Sequence, residues 1–506
     1  MGSARDLRAA EIARTPVLDP EAGHVRELWP AAWMSLDRRN WIASKERLRF
    51  CRDVVVLAVA FLSFALANTF PLYYADSSGY DGHVIALDTI RTWTLSALAR
   101  PLWFLIGPWA TPVVNSIVLS VVLVRFQRMF LPNIGILSTL LIVLLSGAPF
   151  YASAIMADVW IVTGLLALTI AARDGSPLFG LIAIAAITMH GGYLYVLSVP
   201  AAVLVALSAD RARALARVAT LMVVALCLVG SARLLASVYF KAQHLNWALT
   251  TSRLLNDIPD LLPAYCARWP EDNLCVARGD VEAILRNGKD ADDKVVWGSP
   301  VFDREALINF TALNNAGPRL LFLAATQFPT TLAVETYVDL RSVSFDGCLG
   351  FGGWLRPVGF LAAIQEREPP MTLAKSGFFT RADVCTVSRS SRYLLYVAAG
   401  FGLLYVLAFA THTHRLVALT SIAAVLTNLI FHVTLGGGFD RYHLRALLLL
   451  GVVVLAAWDA FLRNRRSQLG LDRRSVRLDQ EVVGRYLSPN LGAKFLALRR
   501  LRLRRT

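Results

Sequence analysis

Apolar residues in this chain come in blocks separated by short polar stretches, at 54–72, 102–124, 133–149, 158–172, 178–191, 193–208, 217–239, 392–411, 416–435 and 445–462. A helix needs blocks of roughly this length to cross about 30 Å of hydrocarbon. The pair between 178 and 208 is ambiguous, because Gly191-Gly192 and Pro200 fit either a broken hairpin or one long tilted helix. Arg173 precedes the pair, and Arg211, Arg213 and Arg217 follow it. Both clusters belong on the cytoplasmic side, which favours the hairpin. The pattern predicts an all-α polytopic membrane protein with about ten transmembrane helices.

One long stretch breaks the pattern. Residues 240–391 hold most of the Asp, Glu and Asn that the apolar blocks lack, and they predict a soluble mid-chain insertion. Within it, PRLLFLAATQFPTTLAVETYVDL (318–340) is apolar but interrupted by Pro329 and Glu335. It reads as a surface-lying or re-entrant helix rather than an eleventh span. The expected organisation is an amphipathic N-terminal segment (1–53), a first membrane module (54–239) with an external loop at 73–101, the insertion (240–391), further membrane helices (392–462) and a basic tail (463–506).

Composition agrees: of 506 residues, 56% are hydrophobic and 17% charged, and the mean hydropathy is +0.51. The net charge of +15 does not imply nucleic acid. The arginines gather at the ends of apolar blocks and in the tail, a distribution that suits membrane lipid headgroups. They also set an orientation. Arg38, Arg39, Lys45, Arg47, Arg49 and Arg52 precede the first block, Arg125 and Arg128 follow the second, and the tail carries about a dozen more basic residues. Both termini are then expected in the cytoplasm, which needs an even number of spans. No cleavable signal peptide is evident. In a Gram-negative bacterium this orientation means the inner membrane, with the 73–101 loop and the insertion on the periplasmic face. The cysteines fit: Cys266, Cys275, Cys348 and Cys385 all fall in the insertion, where they can form two disulfides. Three connectivities are open, of which Cys266–Cys275 with Cys348–Cys385 closes the shortest loops.

Candidate chemistry gathers at block ends that share the external side. The first block runs into YYADSSGYDGH (73–83), which offers Asp76, Asp81 and His83. A carboxylate held there can deprotonate an acceptor hydroxyl; equally, Asp76 and Ser77 can cap a helix beginning near Tyr80. Asp158 lies where SGAPFYASAIMADVW enters the next block, and an acid at a membrane boundary is costly to bury unless it faces a cavity or a partner. GGGFDRYHLRALLLL places Asp440, Arg441, His443 and Arg445 at the external start of the last block. Arginines there run against the charge bias, and a phosphate group would explain them; snorkelling to headgroups is the alternative. His190 and Arg233 could line a polar cavity or serve packing. His412 and His414 read as a solvated turn.

These motifs, in this order, resemble the membrane-embedded GT-C glycosyltransferase superfamily, which takes sugars from polyprenyl-phosphate donors. Asp76-Ser77-Ser78-Gly79-Tyr80 is similar to that family's D-S-x-x-Y-like loop motif. Arg100-Pro101-Leu102 resembles its R-P-L entry to the second span, Asp158 its second acidic residue, and Arg441-Tyr442 its R-Y before a leucine-rich helix. Two features depart from the family pattern: the soluble domain is inserted mid-chain, and the second acid is Asp where Glu is common. The resemblance implies inverting transfer to a glycan, glycolipid or other envelope acceptor. Asp76 would be the general base, with Asp81 the second choice, and Asp158 would orient substrate or hold a divalent cation. Arg441, with Arg91 or Arg100, would stabilise the departing lipid phosphate, and Tyr80, His83 and Tyr442 would complete the substrate site. The competing classes are a flippase of lipid-linked glycans, which would spread charge through the bundle interior, and an O-antigen-type polymerase.

Overall fold

The computed structural model describes residues 28–67, 71–72, 94–190, 192–240, 247–286, 310–342, 344, 381–435 and 444–469. Its regular elements there are helices, with one isolated parallel bridge between Leu72 and Ala154. The chain divides into two compact units, Met1–Asp53 and Val54–Thr506. In the first, helix α1 (Leu28–Phe61) begins, and the exposed Arg52 pairs with Asp53 at 2.8 Å.

In the second unit α1 ends at Phe61 and resumes as α2 (Ser63–Ala67). Ser153 holds this break: its hydroxyl donates to Phe61 O and accepts from Ala65 N, both at 3.0 Å. The predicted second span is longer than its apolar block. It consists of α3 (Thr94–Ile106), a turn at Gly107–Trp109 and α4 (Ala110–Phe130). Gly107 sits at φ 55°, a conformation glycine adopts without penalty. Next come α5 (Ile136–Leu145), α6 (Ala148–Ala152), α7 (Trp160–Asp174), α8 (Pro177–Thr188), α9 (Tyr193–Ala206) and α10 (Arg211–Phe240). The 178–208 block is therefore two helices, broken where Gly191-Gly192 predicts the turn.

Six helices fill the described part of the insertion: α11 (Ala248–Asp257), α12 (Leu261–Arg268), α13 (Asn273–Val276), α14 (Arg278–Arg286), α15 (Phe310–Gln327) and α16 (Pro329–Arg341). They share a core of their own, including Leu254, Leu262, Tyr265, Leu274, Val281, Leu313, Leu320 and Leu323. The Cys266–Cys275 disulfide joins α12 to α13; Cys348, and with it the expected Cys348–Cys385 pairing, lies outside the described residues. Asp272 caps α13 by accepting from Leu274 N and also accepts from the Tyr265 hydroxyl at 2.9 Å. Burial and the neighbouring Asp272 carboxylate push the Tyr265 phenol up to about 12. The chain ends its described course in α17 (Arg381–Phe409), α18 (His412–Leu435) and α19 (Leu447–Gln468). Helix α17 starts eleven residues before its apolar block, because RADVCTVSRSS continues the same helix ahead of the hydrophobic run.

Among the described residues, five helical stretches are long and apolar enough to cross a membrane: Thr94–Phe130, Arg211–Leu235, Arg389–Phe409, His412–Thr434 and Leu447–Gln468. Helices α5, α8 and α9 are shorter but equally apolar. What separates these helices is what covers them. Helix α7 is apolar on every side and buried along its length, packing on α4, α8, α9 and α10. Helix α10 is just as apolar, yet Leu215, Val223, Leu226, Leu234 and Val238 stand more than half exposed. A surface of that kind is unfavourable in water and suits hydrocarbon, so this is an all-α membrane protein. Close approach tightens the interior. A Cβ on Gly164 of α7 would sit 2.9 Å from Ala186 Cβ of α8. Helix α18 packs on both α9 and α19, and so joins the two sets of membrane helices.

Candidate functional site

The segment before α7 is built to hold one carboxylate in place. Residues 148–160 are buried throughout, which is unusual for a stretch without continuous helix. Its backbone groups therefore need partners, and they have them. Leu72 N donates to Ser153 O and Ile155 N donates to Leu72 O, each at 3.0 Å. Asn115 of α4 donates to Met156 O at 3.0 Å and to Ala154 O at 3.3 Å, while its Oδ1 accepts from the Trp160 indole at 2.7 Å. The Tyr193 hydroxyl, at the start of α9, donates to Ala157 O at 2.8 Å and to Asp158 O.

Asp158, 4% exposed, faces an arginine from the far end of the chain. Arg445 Nη1 donates to Asp158 Oδ1 at 2.9 Å, with both side chains buried. Arg445 Nη2 donates to Asn428 Oδ1 at 3.4 Å and to His432 Nε2, both on α18. A guanidinium has only donors, so His432 Nε2 accepts and the neutral ring carries its proton on Nδ1. The Arg445 guanidinium also lies over the Tyr193 ring at 5.0 Å, an attraction that grows when the cation is desolvated. One buried cation is thus held by a carboxylate from the α6–α7 turn, an aromatic face from α9 and two polar groups from α18.

Of the sequence-predicted site residues, Asp158 and Arg445 come together. Arg100 lies in α3, its guanidinium 5.5 Å from the centre of the Phe104 ring. Asp76, Tyr80, Asp81, His83, Arg91, Arg441 and Tyr442 lie outside the described residues. His190 serves the turn before α9, its Nδ1 accepting from Gly192 N at 3.1 Å. A cation beside Asp158 does not fit the donor set, because the guanidinium already neutralises that carboxylate and the nearest imidazole accepts from the same arginine. Among the described residues no cluster of three His, Cys, Asp or Glu forms a metal site.

Several participants carry weak sequence signals. Asn428 and His432 are spaced i, i+4 on one face within a largely apolar stretch of α18, and that spacing is the signal that could have found them. Asn115 offers nothing beyond being polar within a span. His414 corrects an expectation: it is no solvated turn but is 2% exposed, with Nε2 2.9 Å from Asp459 Oδ2 and Nδ1 2.7 Å from the Thr411 hydroxyl. Asp459 also accepts from Asn133 N at 2.7 Å, tying the α4–α5 turn to α18 and α19. Comparison with known protein families, curated proteins and solved structures finds no match for this chain.

Proposed function

We propose that this chain is an integral-membrane glycosyltransferase that moves a sugar, with inversion, from a polyprenyl-phosphate donor to a glycan or glycolipid acceptor on the external face. The observation that carries this reading is the buried Asp158–Arg445 pair, which joins two boundary segments that the sequence puts on the same side of the membrane. Ten passes accommodate the helices: the broken α1–α2, α4, α5, α7, α8, α9, α10, α17, α18 and α19. With both termini cytoplasmic, the α6–α7 turn and the start of α19 then face outward.

The neighbouring motifs follow from chain length. Asp76 is four residues beyond Leu72, whose backbone is bonded to Ser153 and Ile155; four residues span at most roughly 14 Å. Arg441 and Tyr442 precede Arg445 by four residues and three. In this reading Asp76 and Arg441 act in the region that the Asp158–Arg445 pair anchors. In the reaction, Asp76 takes the acceptor hydroxyl proton as the oxygen attacks the sugar's anomeric carbon. The bond from that carbon to the phosphate oxygen breaks, and the lipid phosphate leaves with the electron pair. Arg441 stabilises the leaving phosphate. Arg445, already engaged by Asp158, Asn428 and His432, is a positioning residue that fixes the start of α19.

The test uses purified protein in nanodiscs with a radiolabelled polyprenyl-phosphate sugar and envelope glycolipid as acceptor. Wild-type protein should transfer label, and Asp76→Asn should abolish transfer while eluting as a folded, monodisperse protein. Wild-type turnover by Asp76→Asn would remove Asp76 from the mechanism. A deletion strain that accumulates complete lipid-linked glycan on the inner leaflet would replace the transferase reading with a flippase.

A further inference from the structure

Helix α16 in the insertion is amphipathic in the wrong sense for a helix in water. Its exposed positions are Pro329, Thr330, Ala333, Val334, Tyr337, Val338 and Arg341, spaced at three and four residues so that they form one face. Val334, Tyr337 and Val338 are 51%, 61% and 49% exposed. Its two acids are turned away: Glu335 is half-buried, and Asp339 pairs with the buried Arg253 of α11. A helix meeting water would show the acids and hide the valines.

The placement of α16 identifies what covers that face. Leu340 packs against Leu429 and Val433 of α18. The apolar span of α18 ends at Thr434, so at 1.5 Å per residue Leu429 lies roughly 8 Å inside that end. Just beyond α16, Ser344 is buried and its carbonyl accepts from the Tyr396 hydroxyl of α17 at 3.1 Å. Tyr396 is four residues into the 392–411 apolar block, roughly 6 Å from its end. Two membrane helices thus set the C-terminal end of α16 at the depth typical of a helix lying in the interface, roughly 5–10 Å into the headgroup and acyl boundary.

We infer that the Ala333-Val334-Tyr337-Val338 face of α16 rests in the outer leaflet and docks the insertion onto the bilayer as an interfacial helix. Tyr337 is suited to that layer by its apolar ring and polar tip, and Arg341, at the end of the same face, reaches the headgroup phosphates. Leu332 on another face of α16 packs into the insertion's core, so the helix couples the bilayer to the soluble module above it. The inference depends on the membrane orientation and not on the transfer chemistry.

The experiment places an environment-sensitive fluorophore at Val334→Cys or Tyr337→Cys in the full chain, with the four cysteines outside the Cys266–Cys275 disulfide changed to serine. Asp280→Cys, at an exposed position of α14, is the aqueous reference. In nanodiscs, labels at 334 and 337 should lose emission to lipids carrying a shallow nitroxide quencher and resist iodide, while the label at 280 should do the reverse. Loss of emission to iodide alone at 334 and 337 would overturn the inference by placing the face in water. Protection from both quenchers would overturn it in favour of a protein cover. If the cysteine-depleted chain does not fold, hydroxyl-radical footprinting of the unmodified protein in nanodiscs decides: Tyr337 protected as strongly as the lipid-facing Trp458 supports the inference, and Tyr337 oxidised like an aqueous residue refutes it.

Discussion

The Asp158–Arg445 pair can be weighed by a double-mutant cycle. Both side chains are buried, at 5% and 0% exposure, and the N–O distance is 2.9 Å. Removing one partner leaves an uncompensated buried charge, which costs about 3–5 kcal/mol. An ordinary interhelical hydrogen bond in a membrane protein is worth about 0.6 kcal/mol, so the two accounts differ severalfold. Asp158→Asn keeps the shape of the side chain but strands the guanidinium, which cannot shed its charge. Arg445→Met strands the Asp158 carboxylate in the same buried surroundings. The double variant removes both charges and should lie within about 1–2 kcal/mol of wild type, a coupling of at least about 2 kcal/mol. Reversible unfolding in mixed detergent micelles with rising dodecyl sulfate reads all four proteins on one scale. A coupling at or below about 0.6 kcal/mol would refute the claim that this pair is a desolvated ion pair tying the start of α19 to the α6–α7 turn.

Two other predictions concern the insertion. The Cys266–Cys275 disulfide closes a short loop with a sequence separation of 9, so replacing both cysteines with serine should cost about 2–3 kcal/mol. Limited proteolysis should then cut first between α12 and α14, and unchanged resistance would contradict the estimate. Asp257 is raised from 3.8 to about 6, first by burial and then by Asp339, with Arg253 opposing. A carboxyl whose folded value lies above its unfolded one contributes stability that is complete below about pH 4 and is lost as the pH rises through about 6. The full shift corresponds to about 3 kcal/mol, reduced to about 1–2 by partial solvent screening. Asp257→Asn should remove the decline between about pH 4 and 6 in hydrogen-exchange protection of α11, corrected for intrinsic exchange; a decline that persists would assign it to another group.

The long spans were legible because hydropathy over eighteen residues is a sum that few local details can cancel. Helices α10, α18 and α19 overlap most of their apolar blocks, their ends differing by up to six residues. The predicted bounds slip where helix and hydrophobicity part company. Helix α17 extends through a polar segment, and the 133–149 block is ten residues of α5 followed by the turn into α6, bent at Gly147 with φ 70°. Hydropathy also cannot tell α7 from α10, since both are apolar all round and only tertiary packing decides which one meets lipid. His414 was misread for a related reason: its partner Asp459 is 45 residues away, inside α19.

The site itself was half legible, for a physical reason. A charge at the end of an apolar run stands out because burying it is unfavourable, so Asp158 and Arg445 could be noticed separately. What makes each tolerable is the other, 287 residues away, and no local pattern encodes that separation. The groups that complete the arrangement are neutral: Asn115 and Asn428, His432 as an acceptor and Tyr193 as a ring. Neutral polar groups cost little enough inside a bundle to pass unmarked in sequence, yet they fix the arginine's direction. Asn115 fixes the turn that carries the carboxylate through three hydrogen bonds, and Tyr193 bonds that turn while offering its face to the cation. The start of α7 is therefore tied to α4 and α9 as well as to Arg445. On the proposed reading, a substrate bound there would meet an already ordered segment, so little ordering cost would remain.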